Sequence, residues 1–312
     1  MQTKILLLNT WKNYYTFLNK STILCRKMTS FGNLEQKICV DGVHINYLKV
    51  GDNKTAHPVL CLPGALGSIW TDFKPQVEGL DRKKLTVIAW DPPGYGKSIP
   101  PERKFPLDFF HRDAESAAKL MQTLNIEKYS LLGWSDGGIT AMILAAKYPQ
   151  AVHKLVVWGG NAYVTDKDLK IYQGIRDISR WSEAMRAPLI NLYGEAYFKE
   201  TWESWVDSFQ HILDNGGDLC KTLLPNIQCP TFVLHGAKDP IVPDEHPKYL
   251  KENIKDCRLH VFENGKHNIH IKYAAEFNKL VEDFLIQLNG EHLSLTIMLL
   301  FNVSCSISIL YK

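Results

Sequence analysis

The run Gly133-Trp134-Ser135-Asp136-Gly137-Gly138 fits the pattern G-x-S-x-G. A serine in that pattern is a candidate nucleophile when a strand precedes it and a helix follows. The turn between the two is so tight that its neighbours must be small, and the strain holds the hydroxyl clear of the backbone. The N-terminus of the following helix offers unpaired backbone N–H groups to a developing oxyanion, with Asp136 supplying the first of them. The chemistry implied is acyl transfer through a serine ester.

A serine hydroxyl needs a base, and the base needs an acid to orient it. With this kind of turn the chain order is serine, acid, histidine. Asp239 follows the apolar run 231–234, in His235-Gly236-Ala237-Lys238-Asp239-Pro240. His267 follows the run 258–262, in Glu263-Asn264-Gly265-Lys266-His267-Asn268. Both loops open on the sheet edge that carries Ser135, so the three are expected to converge. Rivals exist among eleven histidines. His270 is read as starting the last helix and His235 as supporting its turn. Asp244 is the alternative acid, but it falls where a helix cap accounts for it. The loop Pro63-Gly64-Ala65-Leu66-Gly67-Ser68 is expected to give a second oxyanion donor, the N–H of either Ala65 or Leu66. Gly96-Lys97-Ser98 imitates the end of a phosphate-binding loop, but the first glycine of that motif would stand at Asp91, so no nucleotide role follows.

The elements that must position these residues are strands alternating with helices. Residues 36–50 read as a hairpin around Asp41-Gly42. Runs 59–62, 85–90, 129–133, 154–158, 231–234 and 258–262 read as buried strands. Helical spacing appears at 109–124, 137–147 and 271–288, the last with Ile271, Ala274, Phe277, Val281, Phe284 and Leu288 on one face. This alternation predicts a doubly wound, mainly parallel α/β sheet. Residues 163–225 break the rhythm. They carry Tyr163, Tyr172, Trp181, Tyr193, Tyr197, Phe198, Trp202, Trp205 and Phe209, with helical periodicity at 166–187 and 195–213. They are read as a helical lid inserted between two halves of the core, 35–162 and 226–288. Part of that aromatic set is expected to be plain core.

Composition bounds the function. Apolar residues make up 45% and charged residues 22%, as in a globular chain with a sizeable core. The net charge of +3 comes from the first 34 residues, which hold five bases and no acid. The rest sets 31 bases against 33 acids, so no basic face for nucleic acid is implied. Seven widely spaced cysteines without C-x-x-C argue against a disulfide framework or a structural zinc site. The acid-free 1–34 segment resembles a mitochondrial transit peptide, and a start at Met28 would leave the protein cytosolic. Residues 293–310 contain no charge but include Asn302 and four serines. The 289–312 tail is read as an atypical, spliced or misjoined end rather than a membrane span.

The elbow run 131–140 resembles that of the biphenyl hydrolase-like family, the valacyclovir hydrolases, within the α/β-hydrolases. So do Ala89-Trp90-Asp91-Pro92-Pro93-Gly94-Tyr95-Gly96, Trp158-Gly159-Gly160-Asn161-Ala162-Tyr163-Val164-Thr165, Gly174-Ile175-Arg176-Asp177 and the loops of Asp239 and His267. The likeness covers about residues 36–287. It implies an α/β-hydrolase fold with a helical lid, a mitochondrial location, the triad Ser135, Asp239 and His267, and hydrolysis of α-amino-acid esters of the valacyclovir type or related thiolactones. No metal or organic cofactor is implied, and a monomer is expected. Where the family reads D-P-R-G-Y-G this chain has Pro93, so a guanidinium is missing there. Asp136 would repel an oxyanion unless neutralised. The resemblance implies that the substrate's α-ammonium pairs with it; the plainer alternative is a carboxylate turned to the helix dipole. Rival functions are a carbon–carbon bond hydrolase of the meta-cleavage type, disfavoured because its acids are anionic, a thioester hydrolase, and a non-catalytic ligand-binding protein.

Overall fold

The computed structural model describes residues 34–51 and 55–287. The transit-like segment 1–34, apart from its last residue, and the whole 289–312 tail lie outside the described residues. Eight strands form one sheet: β1 (Glu35–Val40), β2 (Val43–Val50), β3 (His57–Leu62), β4 (Leu85–Trp90), β5 (Tyr129–Trp134), β6 (Val152–Trp158), β7 (Thr231–Gly236) and β8 (Cys257–Phe262). Their order is β1-β2-β4-β3-β5-β6-β7-β8. The β1–β2 and β2–β4 pairs are antiparallel and every other pair is parallel. The Asp41-Gly42 turn makes the first hairpin, with both residues at positive φ.

The parallel strands are apolar on both faces because helices cover both. Leu60, Leu62, Ile88, Trp90, Leu131 and Val157 pack into one core layer. It includes Ala114, Ala117 and Leu120 of α3 (Phe109–Thr123) and Ala141, Ile143 and Leu144 of α4 (Asp136–Lys147). Their neighbours along the strands, Val59, Cys61, Val87, Ala89, Leu132 and Trp158, face the opposite layer. There they meet Ile69 of α1 (Ile69–Asp72), Val77 of α2 (Lys74–Gly79) and Phe277 and Val281 of α10 (Ala274–Ile286). The period-2 alternation of the strands thus splits a continuous apolar run into two cores.

Between β6 and β7 the chain forms α5 (Asp166–Gly174), a single 3-10 turn (Ile178–Arg180), α6 (Glu183–Tyr193), α7 (Glu195–Asp214) and a 3-10 segment (Lys221–Asn226). The bridge Tyr163–Asp218 closes the neck of this insertion. The expected helix over 166–187 is broken in its middle. The indoles of Trp181 and Trp202 both donate to the Ile175 carbonyl, at 3.0 and 2.9 Å, and so take up the acceptor that would continue the helix. Of the aromatic residues in the insertion, Tyr172, Phe198, Trp202, Trp205 and Phe209 are buried; Tyr193 and Tyr197 are half-buried. Helix α6 buries no residue fully, and Gly194, at φ +74°, separates it from α7.

After β7 comes α8 (Glu245–Asn253), and after β8 come α9 (Ile269–Lys272) and α10. The single closing helix expected from 271 is therefore two. The break follows from a tertiary contact: the Gln76 side-chain amide donates to the His270 carbonyl at 2.9 Å. Ile271 is 39% exposed and does not share the apolar face; Leu285 takes a buried place on it. Among the described residues no helix is long and apolar enough to cross a membrane.

Candidate active site

Strand β5 ends at Trp134 and α4 begins at Asp136, leaving Ser135 as the whole connection. Ser135 has φ 54° and ψ −122°, a conformation sparsely populated for a residue with a side chain. Its N–H donates to the Trp158 carbonyl at 3.0 Å and its own carbonyl accepts from Gly138 N–H at 2.8 Å. Two glycines make the turn possible. A Cβ on Gly137 would lie 1.9 Å from the Leu62 carbonyl oxygen, and one on Gly133 would lie 2.4 Å from the Gly137 oxygen. Helix and strand approach too closely for any side chain at either position.

Asp239 and His267 meet as the chain order predicts. His267 Nδ1 and Asp239 Oδ2 are 2.8 Å apart, and the Asp239 side chain is 1% exposed. Burial alone would raise the Asp239 carboxyl, but His267 and the N–H groups of Ile241 and Val242 outweigh it and hold it below the usual range. Those N–H groups donate to Oδ1 at 2.8 and 3.1 Å. With a carboxylate on Nδ1, the neutral ring carries its proton there and leaves Nε2 as an acceptor. The ring rests on the end of β6, where a Cβ on Gly159 would lie 2.9 Å from its Cε1. The Ser135 carbonyl lies against Gly160, the next residue. Serine turn and imidazole therefore share one two-residue platform, with the Trp134 ring centroid 5.4 Å from that of His267.

The rivals are occupied elsewhere. His270 is fully buried and accepts from Trp158 Nε1 at 2.9 Å; burial pushes its pKa down to about 3. His235 is buried at the end of β7 with its pKa lowered by burial. Asp244 precedes α8 but makes no capping bond; it pairs with Lys248 at 2.5 Å on the surface instead. Asp168, Glu245 and His246 gather with ligand-like spacing, yet both Asp168 oxygens are engaged, one by His246 and one by Thr165.

Asp136 is the first residue of α4, and its carboxylate also meets the helical insertion. It is 7% exposed and accepts from Trp205 Nε1 of α7 at 2.7 Å. Burial raises its carboxyl to about 7, against the opposing pull of Trp205 and the Arg103 guanidinium. Arg103 stands beside Pro93, where the sequence pattern lacks a guanidinium. It donates to the Pro93 carbonyl at 3.1 Å, lies 4.5 Å above the Tyr95 ring and makes two bonds to Asp113, at 2.7 and 2.5 Å. Ala65 and Leu66 lie beside the elbow; a Cβ on the preceding Gly64 would be 3.2 Å from the Ser135 Cβ. Leu66 is buried at φ 54°. Asp72 accepts from Gly64 N–H at 2.9 Å, and its own carboxyl is raised to about 7 by burial. Sequence reasoning missed Arg103 and Asp72, and it placed Trp205 only among the lid aromatics, not against Asp136. Only their buried polar contacts single them out: Asp72 and Arg103 meet partners eight to ten residues away with no periodic pattern to mark them, and Trp205 reaches Asp136 across 69 residues.

A family model of the alpha/beta hydrolase fold matches residues 57–192 and 167–273. The chain belongs to the alpha/beta-hydrolase family, and it is a serine hydrolase. It is 55% identical over 252 residues to the "Serine hydrolase BPHL" of Homo sapiens, covering 80% of this chain and 85% of that protein. A 2-hydroxy-6-oxononadienedioate/2-hydroxy-6-oxononatrienedioate hydrolase of Pseudomonas sp is 28% identical over 266 residues, covering 78% and 91%. The fold is shared with a meta-cleavage product hydrolase from Pseudomonas fluorescens IP01, at TM-score 0.66 and 24% identity, covering 80% of this chain and 97% of that one.

Proposed function

We propose that the protein hydrolyses esters of α-amino acids, including prodrug esters of the valacyclovir type. One observation carries the specificity: the residue after the nucleophile is a carboxylate, buried and held by an indole N–H from the helical insertion. A buried carboxylate needs a partner. An α-ammonium on the acyl group would provide one beside the scissile carbonyl.

Ser135 Oγ attacks the ester carbonyl while His267 Nε2 takes its proton, and Asp239 holds the ring in the productive tautomer. The N–H groups of Asp136 and of Ala65 or Leu66 stabilise the oxyanion. His267 then gives its proton to the leaving alcohol, and Ser135 holds the acyl group. Water attacks that ester, again deprotonated by Nε2, and the amino acid leaves as Ser135 regains its proton. No step calls for a metal or an organic cofactor. The insertion acts as a lid that shapes the leaving-group pocket and excludes water.

The test compares a valine ester with its N-acetylated analogue, using the wild type and Asp136→Ala. The reading requires that the free amine be preferred, and that acetylation and the substitution each remove the preference. Equal turnover of both esters by the wild type would make Asp136 structural. Turnover of a dienoic ketoacid in place of either ester would support the carbon–carbon hydrolase reading instead.

A further inference from the structure

The loop expected to supply the second oxyanion donor is held at two points, and the two holds belong to different parts of the molecule. On the core side, Gly64 N–H donates to the buried carboxylate of Asp72 at 2.9 Å. On the other side, the peptide joining Leu66 and Gly67 is fixed at both ends. Its N–H donates to the Gly64 carbonyl at 3.0 Å, and its carbonyl accepts from the Tyr193 hydroxyl at 2.9 Å. The N–H groups of Ala65 and Leu66 lie between these two anchors. Leu66 itself sits at φ 54°, a strained conformation that persists only when its surroundings impose it.

Tyr193 is the last residue of α6. Its hydroxyl also accepts from Gly96 N–H at 2.8 Å, so one oxygen joins the insertion to two core loops. Tyr197, one helical turn into α7, makes a parallel bridge that leaves the oxyanion loop alone. Its hydroxyl donates to the Gly94 carbonyl and accepts from Arg103 N–H, each at 3.0 Å. The helix that ends in Tyr193 has no fully buried residue, carries Pro188 in its interior and joins α7 through Gly194 at positive φ. Every other helix of the insertion has at least one buried residue, and this one ends on the loop beside the nucleophile.

We infer that Tyr193 is a positioning residue that couples closure of the α6 flap to assembly of the oxyanion hole. With α6 docked, the hydroxyl holds the Leu66 carbonyl, fixes the strained conformation of Leu66 and aims the N–H groups of residues 65 and 66. With α6 lifted, the Leu66 carbonyl loses its only hold from the insertion; the Asp72 anchor and the internal Gly67–Gly64 bond remain, and the donors lose their aim. The enzyme would then reach full activity only when the pocket is closed to water. This rests on the serine-nucleophile reading above but not on the amino-acid preference.

The variants are Tyr193→Phe and Tyr197→Phe, each removing one hydroxyl from a half-buried side chain. The substrate is the valine ester, or the acetylated ester if both react equally. Losing an oxyanion donor outright costs roughly 10²- to 10³-fold in kcat. Since Tyr193→Phe misaims the donors without removing them, kcat should fall roughly 10- to 100-fold, with KM changed less than about threefold. Affinity for butylboronic acid, whose tetrahedral serine adduct carries the oxyanion, should fall by the same factor as kcat. Tyr197→Phe should leave that affinity within about threefold of wild type, because its bridge does not touch residues 63–67. A Tyr193→Phe enzyme with unchanged kcat would overturn the inference. So would one whose loss lies in KM, or one matched by Tyr197→Phe in both kcat and boronate affinity, since a lid contact alone would then account for the effect. Melting midpoints within a few degrees of wild type show that both variants are folded. If Tyr193→Phe melts much lower, hydrogen exchange at the Gly67 amide in the wild type decides: boronate should slow it at least tenfold, and no slowing refutes the coupling. Ser135→Ala separates the two readings, because turnover surviving in that variant removes the nucleophile reading itself.

Discussion

Asp136 offers the most direct prediction. Its carboxyl is raised to about 7, chiefly by burial, so it is half-protonated near neutral pH before substrate arrives. Only the ionised form attracts an ammonium group, so acidification should weaken recognition of the free amine. The measurement is the ratio of kcat/KM for a valine ester to that for its N-acetylated analogue, from pH 5 to 9. His267 acts as the base toward both substrates, so its contribution is common to numerator and denominator of the ratio. Below pH 7 the ratio should fall about tenfold per unit, or roughly fiftyfold between pH 7 and pH 5. Above about pH 8 it should fall again as the substrate amine loses its proton. Asp136→Asn keeps an acceptor for the Trp205 indole but has no charge. It should flatten the ratio and lower it at pH 7 by roughly 10- to 100-fold, the worth of a charge-assisted hydrogen bond of about 1.5 to 3 kcal/mol. Stability should move the other way. A carboxyl raised by folding binds more protons in the native state than in the unfolded one. It therefore destabilises the fold as pH rises past the unfolded value near 4. Asp136→Asn should melt higher than wild type at pH 8. A wild-type ratio that does not change between pH 5 and 7, or the same profile in Asp136→Asn, would refute this account.

Other outcomes follow from the same contacts. Trp205→Phe removes the donor that stabilises the ionised Asp136, so the acid limb of that ratio should move to higher pH by about 1 to 2 units, read in the same assay. Asp239→Asn keeps an acceptor for the Ile241 and Val242 N–H groups but favours the wrong His267 tautomer; kcat should drop by about 10⁴ in a steady-state assay, with the fold intact by circular dichroism. Arg103→Gln leaves Asp113, whose side chain is 13% exposed, without its buried partner. Breaking such a pair costs about 3 to 5 kcal/mol, which is a fall in melting midpoint of roughly 5 to 10 °C for a protein of this size. A fall of under 2 °C by calorimetry would mean that the pair contributes little.

Features set by local chain geometry could be read from the sequence. The G-x-S-x-G run marks a strand–helix turn because only glycine tolerates the approach of α4 to β3 and β5, and the structure puts Gly133 and Gly137 at those contacts. Apolar runs marked the parallel strands, and loops at their carboxyl ends put Asp239 and His267 within 2.8 Å of each other. Doubly wound topology sends such loops to one edge, so chain order is enough to pair them. Tertiary structure decided what depends on residues meeting across long stretches of chain. The split of the closing helix needs Gln76, almost two hundred residues away, to take the His270 carbonyl. The environment of Asp136 needs Trp205 from the insertion and Arg103 from the loop before α3, neither of which has a local pattern. The hold on Leu66 needs a tyrosine hydroxyl 127 residues away. Periodicity and turn chemistry report what each segment prefers. The partner of a buried carboxylate or a strained peptide is chosen only when desolvation leaves each polar group to satisfy itself with whatever the packed fold has brought beside it.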